Sequence, residues 1–115
     1  MAQYNDQHMI ADRLAKLEST LRDNNNIPEG TRQELLGLLA GLKTEVTPLL
    51  EDHAREIAGS AEAAVEASIK RDEQPEQAAQ AVEGLAASVR QFEATHPRLV
   101  EIVDQLALTL SNMGI

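Results

Sequence analysis

The chain has 115 residues, enough for one domain that buries roughly two-thirds of the surface its unfolded form exposes. Its 19 acidic and 10 basic side chains leave a formal net charge of -9, which repels phosphate backbones and sets direct nucleic-acid binding aside. No cysteine is present, which excludes a disulfide framework, a thiolate zinc site and a cysteine nucleophile.

Leucine and alanine dominate, and Tyr4 and Phe92 are the only aromatic residues, so there is little material for strands. The spacing of Ile10, Leu14, Leu17 and Leu21 is that of one helical face and predicts a first helix over 5–23. "RDNNNIPEG" interrupts that pattern, and Pro28 has the fixed backbone angle of a first helical turn. A second helix is expected over 28–50, with Leu35, Leu39, Leu42, Val46 and Leu49 as its stripe. Leu36, Leu38, Ala40 and Leu50 point away from that stripe, so this helix needs cover on more than one side. Thr47-Pro48 predicts a kink or a restart capped by Thr47.

Residues 51–73 hold good helix formers but only Ile57, Val65 and Ile69 as large anchors, with Gly59-Ser60 as a weak point. The expectation is a lightly packed, acidic, alanine-rich helix or connector. Pro75 then opens a helix over 75–95 with a stripe at Val82, Leu85, Val89 and Phe92. Pro97 drives His96 from helical backbone and starts a last helix over 97–113. Its broad face comprises Leu99, Ile102, Val103, Leu106, Leu110 and Met113, widened by Val100, Ala107 and Leu108. Gly114 and Ile115 are expected to form a Schellman cap, with Ile115 against Leu110.

The leucine-rich second helix that starts at a proline, the acidic middle, "THPRL" before the final helix and the terminal "LSNMGI" resemble a family of short bacterial proteins classed as a domain of unknown function. The resemblance covers both ends of the chain and leaves out its alanine-rich middle. It implies a small, helical, bacterial cytoplasmic protein, and brings no reaction, ligand or site residue with it.

Motifs with chemical meaning are few. Glu93-Ala-Thr-His96 has the spacing of a di-iron bundle motif, but a second pair and two further glutamates are needed, and Pro97 disturbs the register. His8 and His53 lack companions within a helical turn and read as surface residues. Ser19, Ser60, Ser68, Ser88 and Ser111 have no nearby basic partner, and no glycine-rich phosphate loop is present. Neither catalysis nor a cofactor is expected. Gly37-Leu-Leu-Ala-Gly41 has small-residue spacing for close helix packing, within one chain or between two copies, in an apolar run too short for a membrane.

Acidic charge concentrates in residues 49–95, with ten acidic and four basic side chains. Glu62, Glu66, Asp72, Glu73 and Glu76 therefore form a candidate docking face for a basic protein, or a solvated helix face. No run approaches the roughly 18 apolar residues of a membrane span, and the amino terminus has neither a basic nor an apolar signal region. A soluble cytoplasmic protein without membrane insertion is expected.

The predicted fold is all-α: one domain of four or five helices in hairpins or an elongated bundle, with coiled-coil-like seams. The leading functional expectation is a non-enzymatic interaction protein that self-associates, with a dimer favoured. Leu35, Leu38, Leu39, Leu42, Leu99, Ile102, Val103, Leu106 and Leu110 are the residues of core or self-association. A small acidic adaptor for a basic protein is the alternative, and a helical-bundle metal protein the third reading.

Overall fold

The computed structural model describes residues 2–113, with side chains from Ile10 onward; His8 and the cap expected at Gly114 and Ile115 lie outside the described side chains. Five helices follow one another: α1 (Ala2–Asp23), α2 (Glu29–Val46), α3 (Glu51–Ile69), α4 (Pro75–Ser88) and α5 (Pro97–Asn112). A 3₁₀ turn over Arg90–Phe92 joins the last two, and no strand occurs among the described residues. The protein is an all-α helical bundle.

Each junction has a local cause. After α1, the Asn24 side chain accepts the Asn26 backbone N–H at 2.9 Å, the side-chain mimicry of a turn that asparagine favours. Arg32 donates to the Asn24 carbonyl at 3.1 Å, and Ile27 is buried beneath the loop. Pro28 caps α2 from extended backbone (φ -55°, ψ 143°), one position before the helix rather than inside it.

At the α2–α3 junction Thr47 ends one helix instead of capping the next. Its backbone is helical, and its hydroxyl donates back to the Lys43 carbonyl at 2.8 Å. Leu50 caps α3, which then carries Glu51 and Asp52 in its first turn, where negative charge meets the positive end of the helix dipole. Pro75 and Pro97 each occupy the opening of their helices, positions at which the missing N–H costs no helical bond. The stripe expected to run unbroken to residue 95 bends at Val89. The Ser88 hydroxyl donates to the Leu85 carbonyl at 2.7 Å, competing with the helix ladder.

Helix α3 contacts α1, α4 and α5, while α5 contacts α2, α3 and α4, and α1 packs on α2. The helices thus close around one interior, and the radius of gyration of 13.5 Å is that of a compact chain of this length, about 13 Å. Helices α2 and α5 run antiparallel: Glu34 accepts from Thr109 at 3.2 Å, Gly41 lies against Ile102, and Glu45 pairs with Arg98 at 3.5 Å.

The alanine-rich middle is not a light connector. Ala54, Ile57, Ala58, Ala61, Ala64, Val65 and Ser68 of α3 are all buried, and the helix passes through Gly59-Ser60 without a break. Small side chains let neighbouring helices approach closely, so burial here is reached without large anchors.

Candidate interaction surface

The residues of core or self-association separate into two groups. Leu35, Leu39, Leu42, Leu99, Val103, Leu106 and Leu110 are inaccessible to solvent within the single chain. Leu38 and Ile102 are partly buried and pack against that core. Helices α2 and α5, each apolar on more than one side, therefore cover one another; Gly41 permits this, since a Cβ there would stand 3.1 Å from Ile102 Cδ1. Much of the apolar surface of these two helices is thus buried inside one chain, and Leu36, Leu38, Val100 and Ile102 remain partly open.

What stays outside is narrower. Leu50 and Leu108 are the exposed large hydrophobic residues among those described, at 73% and 55% of full exposure. Leu108 lies on the outer face of α5, in a shallow groove with Pro97 and Val100 that is bordered by Glu93, Glu101, Asp104 and Gln105. Helical spacing explains the arrangement: Pro97, Val100, Glu101, Asp104 and Leu108 follow at three, one, three and four residues, along the side of α5 turned away from Leu99, Val103, Leu106 and Leu110. The apolar centre is exposed and its rim is acidic.

The acidic face expected at Glu62 to Glu76 is not one surface of equal residues. Glu62 is half-buried and engaged in a two-pronged pair with Arg13 of α1, at 2.5 and 3.1 Å. The hydrogen bonds that Arg13 donates to Glu62, together with the carboxylate's charge, raise the Arg13 pKa above its ordinary value despite partial burial. Glu66, Asp72, Glu73 and Glu76 are exposed. A second carboxylate that the sequence reading left out, Glu18, is buried and accepts from Lys43 of α2 at 2.6 Å. Its position, one residue after Leu17 and four after Leu14, was the available signal that it lies beside the apolar stripe of α1.

His53 and His96 belong to the packing. His53 is half-buried, not a surface residue, and meets the Phe92 ring edge-on with centroids 5.2 Å apart; His96 also meets that ring edge-on, at 5.6 Å. His96 has non-helical backbone (φ -137°, ψ 66°), so Glu93 and His96 do not stand one helical turn apart as a di-iron motif requires. Among the described residues no group of three or more histidine, cysteine or carboxylate side chains is placed to hold a metal. No helix there is long and apolar enough to cross a membrane.

Residues 37–115 match the model of a family described as a domain of unknown function (DUF4404). The chain belongs to this family. The match runs through the alanine-rich middle, which the sequence resemblance had left out, and stops short of α1, which that resemblance had included at the amino-terminal end. In structural terms it takes in α3, α4 and α5 whole and α2 from Gly37 onward. No curated protein and no solved structure matches the chain.

Proposed function

We propose that the protein is a non-enzymatic helical interaction protein of the bacterial cytoplasm, and that the outer face of α5 docks a basic helix carrying apolar anchors. The observation that supports this is the exposed Leu108, set with Pro97 and Val100 between Glu93, Glu101 and Asp104. An apolar anchor offers burial and the carboxylates select positive charge and favour its approach. A second copy of the same face would bring like charges together. The non-enzymatic reading is supported by the engagement of the Ser88 hydroxyl on a helix carbonyl and of the His96 ring on Thr95.

The test is a titration of the isotopically labelled full chain with a lysine- and leucine-rich amphipathic peptide, followed by amide chemical shifts. Shifts should centre on Val100, Glu101, Asp104 and Leu108, and added salt should weaken the binding. Leu108→Asp should reduce affinity about tenfold or more. Shifts confined to Glu66, Asp72, Glu73 and Glu76 would move docking to the other acidic face and overturn the assignment to α5.

Self-association, with a dimer favoured, is the second reading. It is supported by the exposure of Leu50 and by the bare outer side of α2, where Gly37 has no atom within 4 Å of an added Cβ. Light scattering across a concentration series decides it. A constant mass near 12.5 kDa removes the dimer, whereas a rising mass that Leu50→Asp suppresses supports it. Leu106 is buried in the chain, so a charge there reports on the core and not on assembly.

A further inference from the structure

The groove on α5 is charged at one end only. Its carboxylates, Glu93, Glu101 and Asp104, gather beside Pro97 and Val100, toward the start of the helix. Neither Arg90 nor Arg98 is among its lining residues, and Arg98 pairs instead with Glu45 of α2 at 3.5 Å. From Gln105 to Met113 the chain has no charged residue, so Leu108, 55% exposed, stands at an uncharged end. Glu34 of α2 comes near that end, but it accepts from Thr109 at 3.2 Å and does not line the groove.

Helical geometry sets the separation. Glu101 lies seven residues and Asp104 four residues before Leu108, so the three share one side of α5 across two turns, about 10 Å of its length. Beyond Leu108, Arg71 donates to the Ser111 carbonyl at 2.8 Å, which holds a guanidinium at the last turn of α5. The face therefore runs from negative beside Pro97 toward positive past Leu108. A bound helix with cations along its whole length would leave some of them at the unfavourable end.

The direction of a docked helix follows. Lysine and arginine stabilise a helix in its last turn and not in its first, because the carboxyl end is the negative pole. A helix with its cations there reaches Glu93, Glu101 and Asp104 by lying antiparallel to α5, an arrangement that also sets the two helix dipoles in opposition, which is attractive side by side. Its apolar anchor then falls about two turns nearer its own amino end, over Leu108.

We propose, resting on the reading that the outer face of α5 docks a basic helix, that the groove selects partner helices of one polarity. The partner carries apolar anchors in its amino-terminal half and lysine or arginine in its last two turns, and it lies antiparallel to α5. Leu108 takes the anchor, and Glu101 and Asp104 take the cations. A helix with the same residues in the opposite order is discriminated against.

The test uses the full chain, isotopically labelled, and two peptides of identical composition: one with leucines before lysines, the other with lysines before leucines. Both are capped at their ends, so that terminal charges do not differ. The first should bind about fivefold more tightly or better. A nitroxide at its amino end should broaden the amides of Leu108, Ser111 and Asn112 more than those of Glu93 and Glu101, and one at its carboxyl end should do the reverse. Glu101 and Asp104 are exposed, so Glu101→Gln with Asp104→Asn should keep the circular dichroism of the parent and bring the two affinities together. Equal affinity of the parent for both peptides, equal broadening at both ends of the groove, or a preference unchanged in the variant overturns the polarity while docking on α5 stands. If neither peptide shifts Val100, Glu101, Asp104 and Leu108, docking on α5 falls and the polarity falls with it.

Discussion

The α2–α5 pair and helix α3 fill the same interior by opposite means. The pair presents large side chains at alternating three- and four-residue spacing, Leu35, Leu39, Leu42 and Val46 facing Leu99, Val103, Leu106 and Leu110, all buried. Helix α3 buries a face of comparable length made mostly of Ala54, Ala58, Ala61, Ala64 and Ser68. Leucine seams reach across a wide gap; alanine seams close the gap by bringing backbones together. Burial alone does not reveal which is used, and the two should fail in different ways.

The largest effect is expected where a large anchor is removed. Leu39→Ala leaves a cavity in a seam whose partners cannot collapse onto it, and should lower unfolding free energy by about 2–5 kcal/mol in urea titrations. The reverse change sharpens the contrast: Ala61→Leu forces methyl groups into a closely packed face and should cost about 1–3 kcal/mol by overpacking. If Ala61→Leu is accepted without loss, α3 is packed loosely and the contrast collapses.

Polar ties between the regions come next. Arg13 and Glu62 join α1 to α3 but are about one-third exposed, with 34% and 28% of their side-chain surfaces open. Solvent screening therefore limits Arg13→Ala to about 0.5–1 kcal/mol, and high salt should shrink the difference from the parent. The smallest effects concern two glycines of α2. Gly37→Ala meets open space and should stabilise by about 0.5–1 kcal/mol through helix propensity. Gly41→Ala gains the same propensity but presses on Ile102 at 3.1 Å, so its thermal midpoint should lie below that of Gly37→Ala.

The same contrast explains what the sequence disclosed. Stripes of large residues are visible as periodicity, so the cores of α1, α2 and α5 were legible, as were the starts at Pro75 and Pro97. The packing of α3 was not, because alanine at every third or fourth place is equally the mark of a good isolated helix. Nor could periodicity show that α2 and α5 cover each other: that cover depends on Gly41 admitting Ile102, a contact 61 residues apart in sequence. The acidic face was legible as charge, but Glu62 was withdrawn from it by a cation 49 residues away. The face around Leu108 was visible only as an excess of apolar residues; its acidic rim emerges when the inward side of α5 has been assigned.

The proposed docking face can be tested by reversing its rim charge. Glu101 and Asp104 are exposed, so the double substitution Glu101→Lys and Asp104→Lys should leave the fold intact. The affinity of this variant and of the parent for the lysine- and leucine-rich peptide should be measured by calorimetry at low and high salt. The account predicts tight, salt-sensitive binding by the parent and at least about a tenfold loss on charge reversal. Equal affinity of a folded variant and the parent at both salt concentrations would contradict the assignment of α5 as the docking surface.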